Sequence, residues 1–139
     1  LIAVLSNQVF RISQRVGDGA KTKLVNNLLA SINLAGAAEV MGLAEKMGLD
    51  LSTTLNVIEH SSGQSWIGSD RMRRAIVNDY EPRAHTTLLA KDSKLAVQSA
   101  SHLSYPTPLG EDAMATFARA VEHGYDNLDD ASLFKLLQK

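Results

Sequence analysis

A stretch free of proline runs from Gly17 to Gly48 and constrains the fold more than any other part of the sequence. Asp18 has the side chain of an N-cap, Lys46 suits a last helical turn, and Gly48 suits the position after the helix. The sequence therefore predicts one helix from Asp18 to Met47. At 1.5 Å per residue it would be about 45 Å long, which is longer than a compact chain of this size needs. Such a helix either spans a domain junction or is buried on both sides.

The rest of the chain also has apolar residues at helical spacing. Five further helices are predicted, from Asp50 or Ser52 to His60, from Trp66 to Asn78, from Thr86 to Leu103, from Pro108 to His123, and from Asp129 or Asp130 to Leu137. Only the segment from Val9 to Ser13 alternates apolar and polar residues as a strand does. The predicted fold class is therefore all-α, a helical bundle built on one long helix, with a short β remnant before it.

Composition excludes several classes of function. A net charge of −1 with 21% charged residues offers no electrostatic basis for binding nucleic acid or an acidic membrane. The absence of cysteine rules out disulfides and thiolate zinc sites. The apolar run of the long helix is interrupted by asparagine and glutamate, so no membrane span is predicted. No metal site is expected, because the four histidines lack ligand spacing: His60, His85, His102 and His123.

The start of the long helix, VGDGAKTKLVNN, looks at first like a phosphate-binding loop. A nucleotide P-loop needs two glycines five positions apart, but Gly17 and Gly19 are only two apart. A dinucleotide fingerprint needs a third glycine where Thr22 stands, and no second strand follows. On composition alone, the stretch is a glycine turn that opens a helix with solvated lysines.

One pair of side chains in this stretch indicates more than solvation. Lys23 and Asn27 are four residues apart and therefore share one helix face. An amine and an amide placed together in this way can hold a hydroxyl or carbonyl oxygen. Lys21 falls off that face and is expected to be solvated. Farther along, a run of three arginines is also expected to form a solvated face: Arg71, Arg73 and Arg74.

Three blocks of the sequence together resemble the β-hydroxyacid dehydrogenase family, the group of 3-hydroxyisobutyrate dehydrogenase and tartronate semialdehyde reductase. The family pattern of glycine, x, glycine, three residues, lysine, three residues and asparagine fits residues 17–27 without a gap. LLAKDSKLA at 88–96 resembles the family's lysine-aspartate segment, and HGYDNLDDASLFKLL at 123–137 resembles its closing segment. HSSGQSW at 60–66 stands where the family has a loop near the substrate. The resemblance implies a helical bundle of the 6-phosphogluconate dehydrogenase C-terminal-domain type.

The sequence departs from the family in two respects. Ala84 occupies a place where the family usually has an aromatic residue, so the shape of the substrate pocket is expected to differ. The glycine-rich nucleotide-binding domain of the family is not in this sequence, and the chain begins without methionine, as if cut from a longer protein. Residues 1–16 are expected to be the remnant of a Rossmann domain, and residues 17–139 the C-terminal catalytic and dimerisation domain.

The resemblance also implies roles for individual residues. By position these are a catalytic residue, Lys23; substrate-binding residues Asn27, Ser65, Trp66 and Asp92; and a cofactor-binding residue, Lys91. Lys23 would be the general acid/base that moves a proton to or from the substrate oxygen, and Asn27 would hold that oxygen or a neighbouring one. Lys91 would lie near the nicotinamide, and Asp92 near the substrate or in a supporting hydrogen bond.

The implied protein is an NAD- or NADP-dependent dehydrogenase of a small 3-hydroxy acid. The nucleotide would be bound mainly by the domain that the sequence lacks, so the chain alone is expected to be inactive. The resemblance further implies a cytoplasmic homodimer or higher homo-oligomer. A non-catalytic helical dimerisation module is the alternative. A reductase of imines is a third option, which Lys23 argues against because such relatives commonly replace that lysine.

Overall fold

The computed structural model describes residues 8–138. Over that range the chain forms helices α1 (Asp18–Lys46), α2 (Leu51–Glu59), α3 (Trp66–Ala75), α4 (Thr86–His102), α5 (Pro108–Glu122) and α6 (Ser132–Leu137). The all-α class is confirmed, and each predicted helix is present. Of the two predicted starts of α2, Asp50 holds the cap position, because its carboxylate accepts a hydrogen bond of 2.7 Å from the backbone N–H of Thr53.

Helix α1 is the central element of the bundle, since it packs against all five other helices. Its buried face includes Leu34, Ala38 and Met41, which follow helical spacing and are fully buried. Gly68 lets α3 approach closely, because a Cβ atom there would lie 3.0 Å from the Cβ of Ala37. By length and composition alone α1 could cross a membrane, but a helix at the core of a bundle passes the same test.

The aromatic centre of the core lies where α5 and α6 pack against α1. Phe117 and Phe134 are almost completely buried there, with Leu133 and Met72 beside them. Burial of such large apolar side chains is the main stabilising contribution in a domain of this size. The segment just before α6 contacts the second half of α3, where Asp130 pairs with Arg71 and Asp129 with Arg74.

The strand predicted from Val9 to Ser13 is wrong. These residues are exposed and have no regular secondary structure. Within residues 8–138 the only β-type pairing is one isolated bridge between His85 and Asp129. A lone segment has no neighbour to satisfy its backbone N–H and C=O groups, so alternation of side chains is not enough to form a strand.

Two helix starts also differ from prediction. Asp18 is the first residue of α1 rather than its cap, and Gly17 holds the cap position with a φ of 94°, which glycine tolerates best. The final helix begins at Ser132 instead of Asp129 or Asp130. Both aspartates are fully buried, and their carboxylates bind groups elsewhere in the bundle, so they are held outside the helix.

Candidate functional site

A cleft of about 490 Å³ opens between the first half of α1, the start of α3 and α4. This volume lies within the usual range for small-molecule sites, roughly 300–1,000 Å³. Its polar lining is Lys23, Asn26, Asn27, Asn33, Arg71, Lys91, Asp92 and Asp130, and its apolar lining is Leu29, Ala30, Trp66, Ile67, Ala84, Leu88 and Leu89. Five of the six residues predicted for the site therefore line one cleft.

Three predicted site residues meet on one side of this cleft. The Lys23 amine donates a hydrogen bond of 3.1 Å to Oδ2 of Asp92, and the Asn27 amide donates one of 2.6 Å to the same oxygen. Helix α1 places Lys23 and Asn27 one turn apart, and α4 brings Asp92 to them from across the groove. The Lys23 side chain is 68% exposed whereas the Asp92 side chain is 10% exposed. The amine is thus accessible from the cleft while its anionic partner lies beneath it.

The Asp92 carboxylate is held in its ionised form. Burial opposes ionisation, but hydrogen bonds from Asn27 and Lys23 and the charges of Lys23 and Lys91 outweigh it, so the pKa of Asp92 lies below its ordinary value. The Lys91 amine lies 3.6 Å from Oδ1 of Asp92. Two ammonium groups therefore flank one carboxylate, which leaves a net positive charge at this side of the cleft.

The remaining predicted residues lie at or near the start of α3. Trp66 lines the cleft and is 73% exposed. Ser65 is the N-cap of α3, because its hydroxyl accepts a hydrogen bond of 3.1 Å from the backbone N–H of Gly68. Ser65 lines a neighbouring groove rather than the cleft with Lys23. A substrate contact by Ser65 therefore stays a prediction. The contacts of its side chain in the structure are those of a helix cap.

The solvated face predicted for the three arginines is wrong for two of them. The side chains of Arg71 and Arg74 are each only 12% exposed, whereas that of Arg73 is 66% exposed and pairs with Glu59. Spacing could have indicated this difference, since residues three apart share a helix face and Arg73 lies off it. The partners of the buried pair could not be found this way, because Asp129 and Asp130 are more than fifty positions further along the chain.

The two arginines enter a buried cluster of charges. Arg71 binds Asp130 through Nε at 2.5 Å and through Nη2 at 3.3 Å, and it donates a bond of 2.6 Å from Nη1 to Asp70. The Nη1 atom of Arg74 lies 2.8 Å from Oδ2 of Asp129, and its Nη2 donates a hydrogen bond to Asp70. This ionic cluster, made of Asp70, Arg71, Arg74, Asp129 and Asp130, contains two cations and three carboxylates. One carboxylate is therefore in excess.

The pKa values of the two buried aspartates, Asp129 and Asp130, are shifted in opposite directions. Burial raises the pKa of Asp130 to about 6, because the hydrogen bond and charge of Arg71 do not fully offset burial and the charge of Asp129 adds to it. Burial also opposes the ionisation of Asp129, but backbone N–H groups of Ala131, Arg83 and Ala84, together with Arg74, lower its pKa to about 2. Asp129 is therefore ionised at neutral pH.

The chain is similar to known proteins that are named dehydrogenases. Residues 17–137 match the family model described as the NAD-binding domain of NADP-dependent 3-hydroxyisobutyrate dehydrogenase. The chain is 32% identical over 136 residues to L-threonate dehydrogenase of Escherichia coli K12, covering 98% of this chain and 45% of that protein. It is 34% identical over 132 residues to mitochondrial 3-hydroxyisobutyrate dehydrogenase of Bos taurus, covering 89% of this chain and 39% of that protein.

A solved structure agrees with these matches. The crystal structure of 3-hydroxyisobutyrate dehydrogenase from Salmonella typhimurium superposes with a TM-score of 0.89 at 36% identity, covering 93% of this chain and 45% of that one. The chain thus spans less than half the length of the relatives that it matches. Its similarity to them extends along the whole of the described bundle.

Proposed function

This chain belongs to the β-hydroxyacid dehydrogenase family, and we propose that it is the C-terminal domain of an NAD- or NADP-dependent enzyme that interconverts a small 3-hydroxy acid and its carbonyl form. The observation that carries the proposal is the convergence of Lys23, Asn27 and Asp92 on one cleft. A proton carrier, an amide donor and a fixed carboxylate are what such a reaction requires of the protein, because the redox chemistry resides in the cofactor.

In this proposal Lys23 moves the proton. Its ammonium form, beside Asp92, donates a proton to the carbonyl oxygen during reduction, and in the reverse direction its neutral amine accepts the hydroxyl proton. Asp92 keeps the amine aimed along the groove and stabilises its charged form. Asn27 uses one amide N–H for Asp92, which leaves the other to hold the substrate oxygen. One positioned proton-transfer group of this kind contributes about 10²–10⁴-fold to the rate.

The cleft fits the nicotinamide end of the cofactor rather than the whole dinucleotide. Lys91 and the face of Trp66 border it, and both can contact a flat aromatic ring that bears a carboxamide. Neither sequence motif that cradles a pyrophosphate is present in the chain. When bound, NAD or NADP supplies the acceptor or donor of the hydride. The residues of this chain orient the substrate and supply the proton.

The cleft wall also bears on the choice of substrate. Ala84, where the family usually has an aromatic residue, lines the cleft, so a small side chain leaves extra room at this point. The nearby amide groups of Asn26 and Asn33 can hydrogen-bond to hydroxyl groups of a substrate. We propose a hydroxy acid of three to four carbons or a branched one of similar size as the substrate class, which agrees with the names of the relatives.

The test of this function is Lys23→Ala in the intact enzyme, with Lys21→Ala as the matched control. Lys21 lies at the end of the first turn of the same helix and is exposed. Its amine pairs with Asp18 instead of Asp92. We expect Lys23→Ala to lower kcat by about 10²–10⁴-fold while nucleotide binding is retained, and Lys21→Ala to have little effect. Unchanged turnover in Lys23→Ala would contradict the proposal. Turnover by the 139-residue chain alone would contradict its role as an incomplete part of the enzyme.

A second function, self-association, is favoured by the outer face of α1. Val40 and Leu43 lie one turn apart on this helix and are each about half exposed. An apolar stripe of this kind on a soluble bundle fits a second copy of the same chain. Light scattering on Val40→Asp beside the wild type tests this: we expect a dimer or larger oligomer for the wild type and dissociation for the variant. A monomeric wild type at high concentration would rule the interface out.

A further inference from the structure

Each of the three guanidinium nitrogens of Arg71 binds a carboxylate of the protein, although the residue lines the cleft. Its Nε and Nη2 bind Asp130, and its Nη1 binds Asp70. Because all three nitrogens are occupied by protein carboxylates and the side chain is only 12% exposed, Arg71 is a poor anion receptor for a substrate. Its place in the wall therefore calls for another explanation.

The anchor of Arg71 is buried and hydrogen-bonded through its backbone. Asp130 is 1% exposed, and its backbone N–H donates a bond of 2.9 Å to the carbonyl of Ala84. The neighbouring Asp129 accepts bonds from the N–H groups of Arg83 and Ala84. The segment before α4 and the segment before α6 are thus tied together. Arg71 joins the middle of α3 to that unit through its bonds to Asp130.

The free face of Arg71 is directed at Trp66. The Cζ atom of the guanidinium lies 5.9 Å from the centroid of the indole ring, within the range of a cation–π contact. Trp66 is the first residue of α3 and is 73% exposed, so its ring has few other contacts to restrict it. An exposed ring that nothing held would sample several rotamers across the opening of the cleft.

We propose that Arg71, anchored by Asp130, is a positioning residue that fixes the Trp66 ring as a wall of the cleft. The ion pair holds the guanidinium plane in one place, and the plane in turn selects one orientation of the ring. Lysine could keep the charge but not the planar fork, because its ammonium cannot bind both oxygens of Asp130 and present a flat surface to the indole at once. The consequence for turnover rests on the function proposed above, whereas the placement of the ring does not.

Trp66 is the only tryptophan of the 139-residue chain, so its fluorescence reports directly on this ring. We would measure time-resolved fluorescence anisotropy in the wild type, in Arg71→Lys and in Arg73→Lys. The control is matched, since Arg73 lies on the same helix and also binds one carboxylate with two nitrogens, but its partner is Glu59 and it does not line the cleft. We expect the fraction of freely rotating indole to rise about two- to fivefold in Arg71→Lys and to stay at the wild-type level in Arg73→Lys.

The kinetic consequence is measured separately in the intact enzyme. There Arg71→Lys should raise KM for the hydroxy acid by about two- to fivefold with kcat nearly unchanged, because a wall residue affects binding more than proton transfer. If the ring becomes mobile but the enzyme has no dehydrogenase activity in any form, the proposed function fails and the positioning role stands.

Equal ring mobility in Arg71→Lys and wild type would overturn the positioning role whatever the activity. Circular dichroism accompanies each variant to establish that the helices are intact. Should Arg71→Lys fail to fold, Asp130→Asn provides the same test, because it keeps the guanidinium and weakens only its anchor. Loss of folding in both variants would assign the ion pair to stability and also overturn the proposal.

Discussion

Asp130 makes the stability of this protein depend on pH in an unusual direction. Its side chain is 1% exposed and belongs to a cluster with one carboxylate more than its cations can neutralise. Burial raises its pKa from the ordinary 3.8 to about 6, so the folded protein binds this proton more tightly than the unfolded chain does. The resulting stabilisation is fully present below pH 3.8 and is lost as the pH rises through about 6.

The size of the effect follows from the two pKa values. From 3.8 to about 6 is a little over 2 pKa units, and at ~1.36 kcal/mol per unit the loss is about 3 kcal/mol. Asp129 has the opposite dependence, because its lowered pKa of about 2 gives stability that is lost only as the pH falls below 3.8. Above about pH 4.5 its contribution is therefore nearly constant, so of the two buried aspartates only Asp130 changes the stability between there and neutrality.

The perturbation that isolates this slope is Asp130→Asn, a neutral side chain of nearly the same shape. Urea unfolding of both proteins at several values between about pH 4.5 and about pH 7.5 gives the difference in their free energies of unfolding. Groups that titrate alike in both proteins cancel in that difference. We expect the variant to gain on the wild type with rising pH by about 2 kcal/mol over this range, because about 1 kcal/mol of the total is already lost below about pH 4.5.

Two outcomes would refute this reasoning. A difference that does not change with pH would mean that Asp130 titrates alike in the folded and unfolded chain. A wild type that gains on the variant towards neutral pH would mean that Arg71 stabilises the ionised carboxylate by more than burial costs. In the second case the excess negative charge of the ionic cluster would be compensated by a group outside it.

Two further predictions concern the bundle itself. Phe117→Ala should lower the free energy of unfolding by about 3–5 kcal/mol, because the ring is fully buried and its removal leaves a cavity; urea unfolding checks this, and a loss under 1 kcal/mol would contradict the packing described. Asp50→Ala should cost about 0.5–2 kcal/mol through loss of the α2 cap, with Asp50→Asn retaining most of the stability as the control; equal losses in both variants would exclude capping as the cause.

Features that depend on neighbouring residues were predictable from the sequence. The two ends of α1 and the shared face of Lys23 and Asn27 are each set within one or two helical turns. The family resemblance extended this to Asp92, which it placed near the substrate or in a supporting hydrogen bond. In the structure its carboxylate accepts hydrogen bonds from Lys23 and Asn27. The strand at 9–13 was predicted wrongly because the prediction used only local alternation of side chains, whereas a strand also needs a partner strand.

The sequence by itself determined the helical class, the long central helix and the amine–amide pair on its first turns, because helix periodicity converts spacing directly into direction. Only the tertiary structure decided what faces that pair. Asp92 meets Lys23 across 69 positions, and Asp130 meets Arg71 across 59. No periodicity relates residues so far apart, since their contact depends on how whole helices pack. That packing converted an apparently solvated arginine into a buried part of the cleft wall.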